Sequence, residues 1–403
     1  MNTSPFITAT LRPTLLQGVR SISAVVTPVG WAAAGTGLCL LLAGALLGWA
    51  ELTTLAITLL VVVSASGVFA LGQADLEVTL AVQPTRITAG GRAAAEVVVR
   101  NVADRRMLGA RMELPVGMAA GEFAVPSLRR GGEHEEVFVL PTVRRGIISV
   151  GPATSIRSDP LGLLRRTQVW TDVVELIVHP ETVALGALGP GFLRDLEGQA
   201  TNERSESDVA FHTLRDYEPG DDPRYIHWFT SARTGTLMIR QFIDTRRSHL
   251  GLVVDTNPAA YESESDVETA ISVAGSLGDR VLGDDQQLTC VVGVERMRST
   301  SRVSLLDSLA SVNVSRAKAT FSGGTRALAK GAPGLSTAFL ITGNTTSLSD
   351  LRHAALRLPA GVRVVVLRID PSSPTAFQPL GQQLLLSLRS LDELPHLLWS
   401  VLR

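Results

Sequence analysis

The sequence predicts a multidomain chain with two N-terminal transmembrane helices, a β-sandwich-like domain and a C-terminal α/β domain built on a parallel sheet. Three observations carry this. The first 75 residues hold two uncharged apolar runs, side chains then alternate with period two to about residue 185, and from residue 249 short apolar strands alternate with amphipathic helices. At 403 residues the chain has room for two or three units, each able to bury a core. With 45% hydrophobic residues and a mean hydropathy of +0.23 it is not a disordered chain. Its 19% of charged residues lies below the roughly 25% usual in soluble domains, which points to apolar content segregated into a membrane.

The first span runs from Trp31 to Trp49 and the second from Leu52 to Leu71, close to the roughly 20 residues that cross a hydrocarbon core. Trp31 and Trp49 suit the two interfaces, and Glu51 fits among headgroups at the Ala50-Glu51 turn. A signal peptide has a shorter apolar region and no second span behind it. Arg12 and Arg20 precede the hairpin, Arg86 and Arg92 follow it, and the turn between the spans has no basic residue, so both ends are expected in the cytoplasm. Cys39 falls inside the first span and Cys290 inside a buried strand, which gives no disulfide framework.

From Leu76 the alternation Leu76, Val78, Leu80, Val82 and, after Gly90-Gly91, Ala95, Val97, Val99 reads as strands with one wet face. Ala110–Leu114, Glu135–Leu140, Ile147–Val150 and Val173–Val178 add further strands between Pro and Gly turns, the pattern of a small antiparallel sandwich. Gly186, Gly189, Pro190 and Gly191 then read as a linker. In the C-terminal part, strands are expected at His249–Asp255, Leu288–Val294, Thr337–Thr342 and Val362–Ile369. Helices are expected at Glu262–Leu282, Val303–Val312, Leu348–Leu358 and Leu391–Leu402. The expected organisation is thus an N-terminal segment 1–30, a membrane hairpin 31–72, a β-domain 75–185, a linker and polar loop 186–248, and an α/β domain 249–403.

The densest cluster of interacting groups lies between Glu206 and Phe242. Pro219-Gly220 suits the centre of a type II turn that projects Asp221 and Asp222. Arg215, Arg224 and Arg233 offer planar forks for carboxylates, with Tyr217, His227 and Trp228 close in sequence. Three readings compete. The groups recognise a partner or ligand, or they pair with one another to fix an irregular segment, or His227 acts as a base oriented by Asp221 or Asp222 in a hydrolase. Nothing matches a P-loop, a nucleophile elbow or a zinc-binding His-Glu-x-x-His, so the chain is expected to be non-catalytic. A net charge of −1 offers no footprint for nucleic acid. Asp255 ends the first strand of the α/β domain, where ligands of such sheets bind.

The run Arg144–Arg166, the strand ending His179-Pro180 and the segment Phe211–Arg233 resemble the bacterial family known as domain of unknown function 58. Its Tyr-x-x-Gly-Asp-x-x-Arg-x-x-x-Trp signature falls on Tyr217, Gly220, Asp221, Arg224 and Trp228, with Ala232 and Arg233 completing it. The resemblance implies a C-terminal domain similar to the von Willebrand factor A fold and a MoxR-type AAA+ ATPase as partner. The implied role is a membrane-anchored adaptor of the bacterial inner membrane with its soluble domains in the cytoplasm, acting in assembly or maturation of envelope or metalloprotein complexes. A self-associating membrane scaffold is a further alternative, given the small residues at 32–37 and 44–48. Two departures stand out. Where a metal-binding von Willebrand A domain has Asp-x-Ser-x-Ser, this chain has Asp255-Thr256-Asn257-Pro258-Ala259, so no cofactor is expected and Asp255 and Asn257 are the only remnant candidates for Mg²⁺. Phe229 stands where the family often has Lys.

Overall fold

The computed structural model describes residues 25–70, 75–186, 209–218, 221–244, 249–314, 321–381 and 383–401. Arg12, Arg20, Gly189 to Gly191 and the Pro219-Gly220 centre of the expected turn lie outside them. Contacts divide the chain into two units, 1–178 and 179–403.

In the first unit, α1 (Pro28–Leu47) and α2 (Ala50–Ala70) are each long and apolar enough to cross a membrane. Thr27 caps α1, its Oγ1 accepting the Gly30 N–H at 3.1 Å, with Pro28 preset for the first helical position. Gly48, at φ 67°, ends α1. The reversal is therefore at Gly48-Trp49, not at Ala50-Glu51 as expected. Glu51 sits in the first turn of α2, where its charge meets the positive end of the helix. A Cβ at Gly37 would come within 3.0 Å of Leu60, and one at Gly44 within 2.6 Å of Thr53, so these small residues serve the close approach of the hairpin's own helices.

The β-part of this unit comprises β1 (Leu76–Gln83), β2 (Arg86–Thr88), β3 (Ala94–Asn101), β4 (Ala110–Val116), β5 (Ala119–Val125), β6 (Glu133–Val139), β7 (Gly146–Val150), β8 (Thr154–Ser158), β9 (Arg165–Val169) and β10 (Val174–His179). One antiparallel sheet has the order β1-β3-β6. The other runs β2-β10-β7-β4-β8-β9, with β5 paired to β4. Val97 and Val99 from the first sheet share one core with Met112, Leu114, Leu176 and Val178 from the second, as the alternation requires.

In the second unit, β11 (Val209–Asp216) and β12 (Met238–Asp244) form a separate antiparallel hairpin in the segment expected to be loop. A seven-stranded sheet follows: β13 (His249–Val254), β14 (Gln287–Val292), β15 (Glu295–Arg296), β16 (Thr337–Gly343), β17 (Arg363–Ile369), β18 (Ala376–Leu380) and β19 (Gln383–Leu388), in the order β15-β14-β13-β16-β17-β19-β18. β14, β13, β16, β17 and β19 run parallel, and β15 and β18 close the edges antiparallel. The short helix α3 (Trp228–Thr234) belongs to the β11–β12 insert. Covering the large sheet are α4 (Glu264–Gly283), α5 (Arg302–Ser311), α6 (Phe321–Gly331), α7 (Leu348–Ala355) and α8 (Leu394–Val401). Ile271 and Leu277 of α4, Leu305 and Leu309 of α5 and Leu394 and Leu398 of α8 pack with Leu252, Val254 and Phe339. Leu328 of α6 and Leu351 of α7 pack with Val253, Leu340 and Val366 on the opposite face. This is a doubly wound sheet. Its strand order reverses between β13 and β16, which makes their carboxyl ends the switch point. Cys290 is fully buried on β14, and burial pushes its thiol up to about 12, so it acts as a small apolar side chain.

Candidate functional site

The signature residues sit on the β11–β12 hairpin and its insert. Arg215 is near the end of β11, and its guanidinium grips Asp221 with both prongs, Nη1 to Oδ2 at 2.8 Å and Nη2 to Oδ1 at 2.7 Å. Asp221 Oδ2 also accepts the Glu218 N–H at 3.0 Å, and the Asp221 N–H returns to the Glu218 carbonyl at 3.0 Å. The Arg215 hydrogen bonds, with that backbone N–H, hold the Asp221 carboxyl below the usual range. The pair in turn raises the Arg215 guanidinium above its ordinary value. Asp222 caps the 3-10 turn Pro223–Tyr225 by accepting the Arg224 N–H at 3.0 Å.

His227 caps α3. Its Nδ1 accepts the Thr230 N–H at 3.1 Å, its carbonyl accepts from the Ser231 N–H and hydroxyl, and its own N–H donates to Met238 at 2.8 Å. Ser231 Oγ accepts the Met238 N–H at 2.8 Å and ties α3 to β12. The buried pair Ile226 and Ile239 bridges the insert onto the hairpin, and the Tyr217 N–H donates to the Leu237 carbonyl at 2.8 Å. No hydrogen bond or ion pair joins His227 to Asp221 or Asp222 among the described residues, so the dyad that a hydrolase reading needs is not assembled.

The predicted set thus separates into two groups. Arg215, Asp221, Asp222 and His227 spend their polar atoms on the chain itself. Trp228, 66% exposed, and the exposed Arg224 and Arg233 face solvent. Phe229, 77% exposed, and Tyr225 belong with this second group and were not singled out as site residues from the sequence. The signal was present in the run Tyr225-Ile226-His227-Trp228-Phe229, which is too aromatic for a solvated loop. Within it Ile226 alone is deeply buried.

At the switch point the geometry is closed. Asp255 is 4% exposed, its Oδ1 accepting the Asn257 N–H at 2.9 Å and its Oδ2 the Thr342 hydroxyl at 3.0 Å. Burial pushes this carboxyl up against those two donors. Asn257 turns its carboxamide to cap the 3-10 turn Pro258–Ala260 through the Ala259 N–H. The buried Tyr261 hydroxyl donates to the Asp255 carbonyl at 2.6 Å, and Thr345 donates its N–H to the Ala260 carbonyl at 3.2 Å. A Cβ at Gly343 would lie 2.0 Å from the Ala260 carbonyl oxygen, which measures how tightly the segment after β13 covers the end of β16. Asp255 and Asn257 are therefore both engaged by the chain. Among the described residues, no group of three or more His, Cys, Asp or Glu is disposed to hold a metal ion.

No curated protein matches the chain. Among solved structures, it is 15% identical to the CARDB domain of a Pyrococcus furiosus protein, over 26% of this chain and 92% of that one, at a TM-score of 0.20. It is also 15% identical to the alkylpurine DNA glycosylase AlkC of Pseudomonas fluorescens, over 32% of this chain and 39% of that one, at a TM-score of 0.20. Red sea bream transglutaminase is 12% identical over 27% of this chain and 18% of that one, at a TM-score of 0.18. Likeness at this level carries neither fold nor function across. The family comparison falls on the hairpin and the start of the large sheet: residues 213–301, which hold the signature from Tyr217 to Arg233 together with Asp255, match the model described as "Protein of unknown function DUF58".

Proposed function

We propose that this protein is a non-catalytic adaptor, anchored in the bacterial inner membrane by the α1–α2 hairpin with its soluble units in the cytoplasm, and that Arg224, Trp228, Phe229 and Arg233 form its docking face. The observation that carries the reading is the division within the signature. Its acids are spent on holding the loop, while two large aromatic side chains are left 66% and 77% exposed between exposed guanidinium groups. Trp, Tyr and Arg are the residue types that anchor protein interfaces, and burying each such ring against a partner contributes about 1.5–3 kcal/mol.

The partner that the family resemblance favours is a MoxR-type AAA+ ATPase, with assembly or maturation of envelope or metalloprotein complexes as the setting. The C-terminal sheet supports a von Willebrand factor A-like reading, since its seven strands, counted within the sheet, run 3-2-1-4-5-7-6 with a short antiparallel third strand at one edge. With Asp255 covered, recognition falls to the hairpin rather than to a metal at the sheet edge.

The test is capture of a MoxR-type AAA+ ATPase by the full-length chain in detergent, in the presence of a non-hydrolysable ATP analogue. Trp228→Ala and Phe229→Ala are each expected to weaken capture at least about tenfold, as interface anchors do. Undiminished capture by the double variant would remove the docking assignment.

A further inference from the structure

Helices α6 and α7 lie side by side on one face of the large sheet, where Leu328 and Leu351 share a core. Their buried stripes fix what stands on the outside. Thr325 and Leu328 of α6 are fully buried, so the exposed Arg326 and Lys330, one turn apart, fall on its outer side. Leu351 and Ala354 of α7 are fully buried, and Arg352, Leu356 and Arg357 are exposed around the outer side of α7 and the turn that ends it. A fifth cation joins them from the sheet edge. Arg296 pairs across from Val291, whose side chain enters the same core, whereas Glu295 pairs with Val292 and stands on the opposite face of the sheet. The exposed Arg296 guanidinium lies beside the end of α6, its Nη1 3.4 Å from the position a Cβ at Gly331 would take.

These five cations thus share one side of one sheet, and among the described residues no ion pair reaches any of them. The two helices contribute a single carboxylate, Asp350, which accepts the Ser347 hydroxyl at 2.7 Å in the first turn of α7. Five cations against one acid is a local excess in a chain whose net charge is −1. Two leucines stand among them in solvent, Leu348 at 43% and Leu356 at 77% exposure.

We infer that this face rests on the anionic phospholipid surface of the membrane that anchors the chain. Lys and Arg interspersed with exposed leucine is the composition of surfaces that lie in a headgroup layer, the cations drawn to lipid phosphates and the apolar side chains entering between them. Nucleic acid would leave the leucines unused, since its phosphates and bases call on polar and aromatic groups beside the cations. A leaflet is also the anionic surface that a tethered domain meets at the highest effective concentration. This contact depends on the α1–α2 anchor of the proposed function and is independent of the Trp228–Phe229 docking face.

The test uses the full-length chain in nanodiscs of phosphatidylcholine with or without phosphatidylglycerol, with Leu356→p-benzoylphenylalanine as photo-crosslinker and the adduct identified by mass. A phospholipid adduct is expected in the discs that contain phosphatidylglycerol, at least about fivefold over discs of phosphatidylcholine alone. Arg352→Gln combined with Arg357→Gln should lower the yield about fivefold, and Arg352→Lys combined with Arg357→Lys should keep it, because a leaflet reads charge rather than the guanidinium fork. The same crosslinker at the exposed Val303 of α5, on the opposite face of the sheet, should give no lipid adduct. Equal yields in the two kinds of disc, Gln variants that crosslink as the parent does, or equal labelling at Val303 would overturn the contact. So would an adduct at Leu356 in native membranes that joins protein or nucleic acid in place of lipid. Release of the chain from vesicles by alkaline carbonate removes the anchor and the contact together, whereas a carbonate-resistant chain without the adduct removes the contact alone.

Discussion

Asp221 in the signature hairpin and Asp255 at the sheet's switch point place the same side chain under opposite physics. Asp221 stands at the surface, clasped by a guanidinium, and its charged form is favoured. Asp255 is enclosed, meets only two neutral donors, and its charged form is disfavoured by burial. The surroundings differ in the same sense. The hairpin leaves Trp228 and Phe229 outside, while the sheet edge draws Tyr261 inward and seals the crevice with it. Where the doubly wound sheet closes its own switch point, the hairpin keeps its aromatic side chains in solvent.

The closure is the stronger of the two arrangements and gives the largest expected effect. Gly343→Ala drives a methyl into the Ala260 carbonyl at 2.0 Å, with the Ala260 carbonyl carbon and Tyr261 both at 2.7 Å, so the loop must move. A cost of about 3 kcal/mol is expected, read as an earlier denaturant midpoint for the second unit. Tyr261→Phe keeps the ring but leaves the Asp255 carbonyl without its 2.6 Å donor, for about 1.5 kcal/mol. An unchanged midpoint in both variants would mean that the crevice is open in solution.

The two carboxylates also predict pH dependences of opposite sign. Asp221 has a folded value below the reference of 3.8, so its contribution to stability is present above that reference and is lost as pH falls through the folded value. Asp255 has a folded value above 3.8, so the folded state binds the extra proton and stability declines as pH rises through the interval from the reference to the folded value. In denaturation profiles between about pH 2 and 6, Asp221→Asn should flatten the acid side and Asp255→Asn the side above it. If both variants flatten the same limb, the contrast is wrong.

Much of this architecture was legible because burial leaves a period. The strands 249–254, 337–343 and 363–369 and helix α4 lie within two residues of the expected bounds, since parallel strands buried on both faces and an amphipathic helix write strong patterns. β5, β8 and β9 were missed: AAGEFAV has little alternation, and TSIRS, between β4 and β9, and RRTQV, at the sheet edge, carry polar and basic side chains. α6 was hidden by Gly323 and Gly324, whose helix is held by packing, with Leu328 fully buried, rather than by propensity. At the site, the sequence could name the interacting groups but not their partners. Arg215 is followed within seven residues by four acids, Asp216, Glu218, Asp221 and Asp222, and only the path of the turn selects Asp221. Nothing in the order of residues shows that Tyr261 folds back on Asp255, because that contact depends on how the loop crosses the end of β16.

Arg215→Ala tests how far the clasp extends. The pair belongs to the small hairpin and neither partner is fully buried, so the expected effect is local: faster amide exchange at Glu218 and Asp221, whose N–H groups close the turn, with the denaturant midpoint of the large sheet unmoved. A shift of that midpoint would tie the clasp to the sheet and weaken the division between the regions.

The smallest expected effect is the most discriminating. Trp228 and Phe229 are exposed, and the only ring contact between them and the described residues is the edge-on approach of Phe229 to His227, with centroids 6.4 Å apart. Ile226, Ser231 and the cap at His227 hold α3 without them. Replacing either aromatic by Ala removes little buried area, and the stability of the free chain should stay within about 0.5 kcal/mol of the parent. A loss well above that would show the rings packing on the protein itself, and the hairpin would then be as closed as the sheet edge. Unchanged stability together with lost ATPase capture separates the two regions by function, because side chains that contribute nothing to the fold then contribute to the encounter.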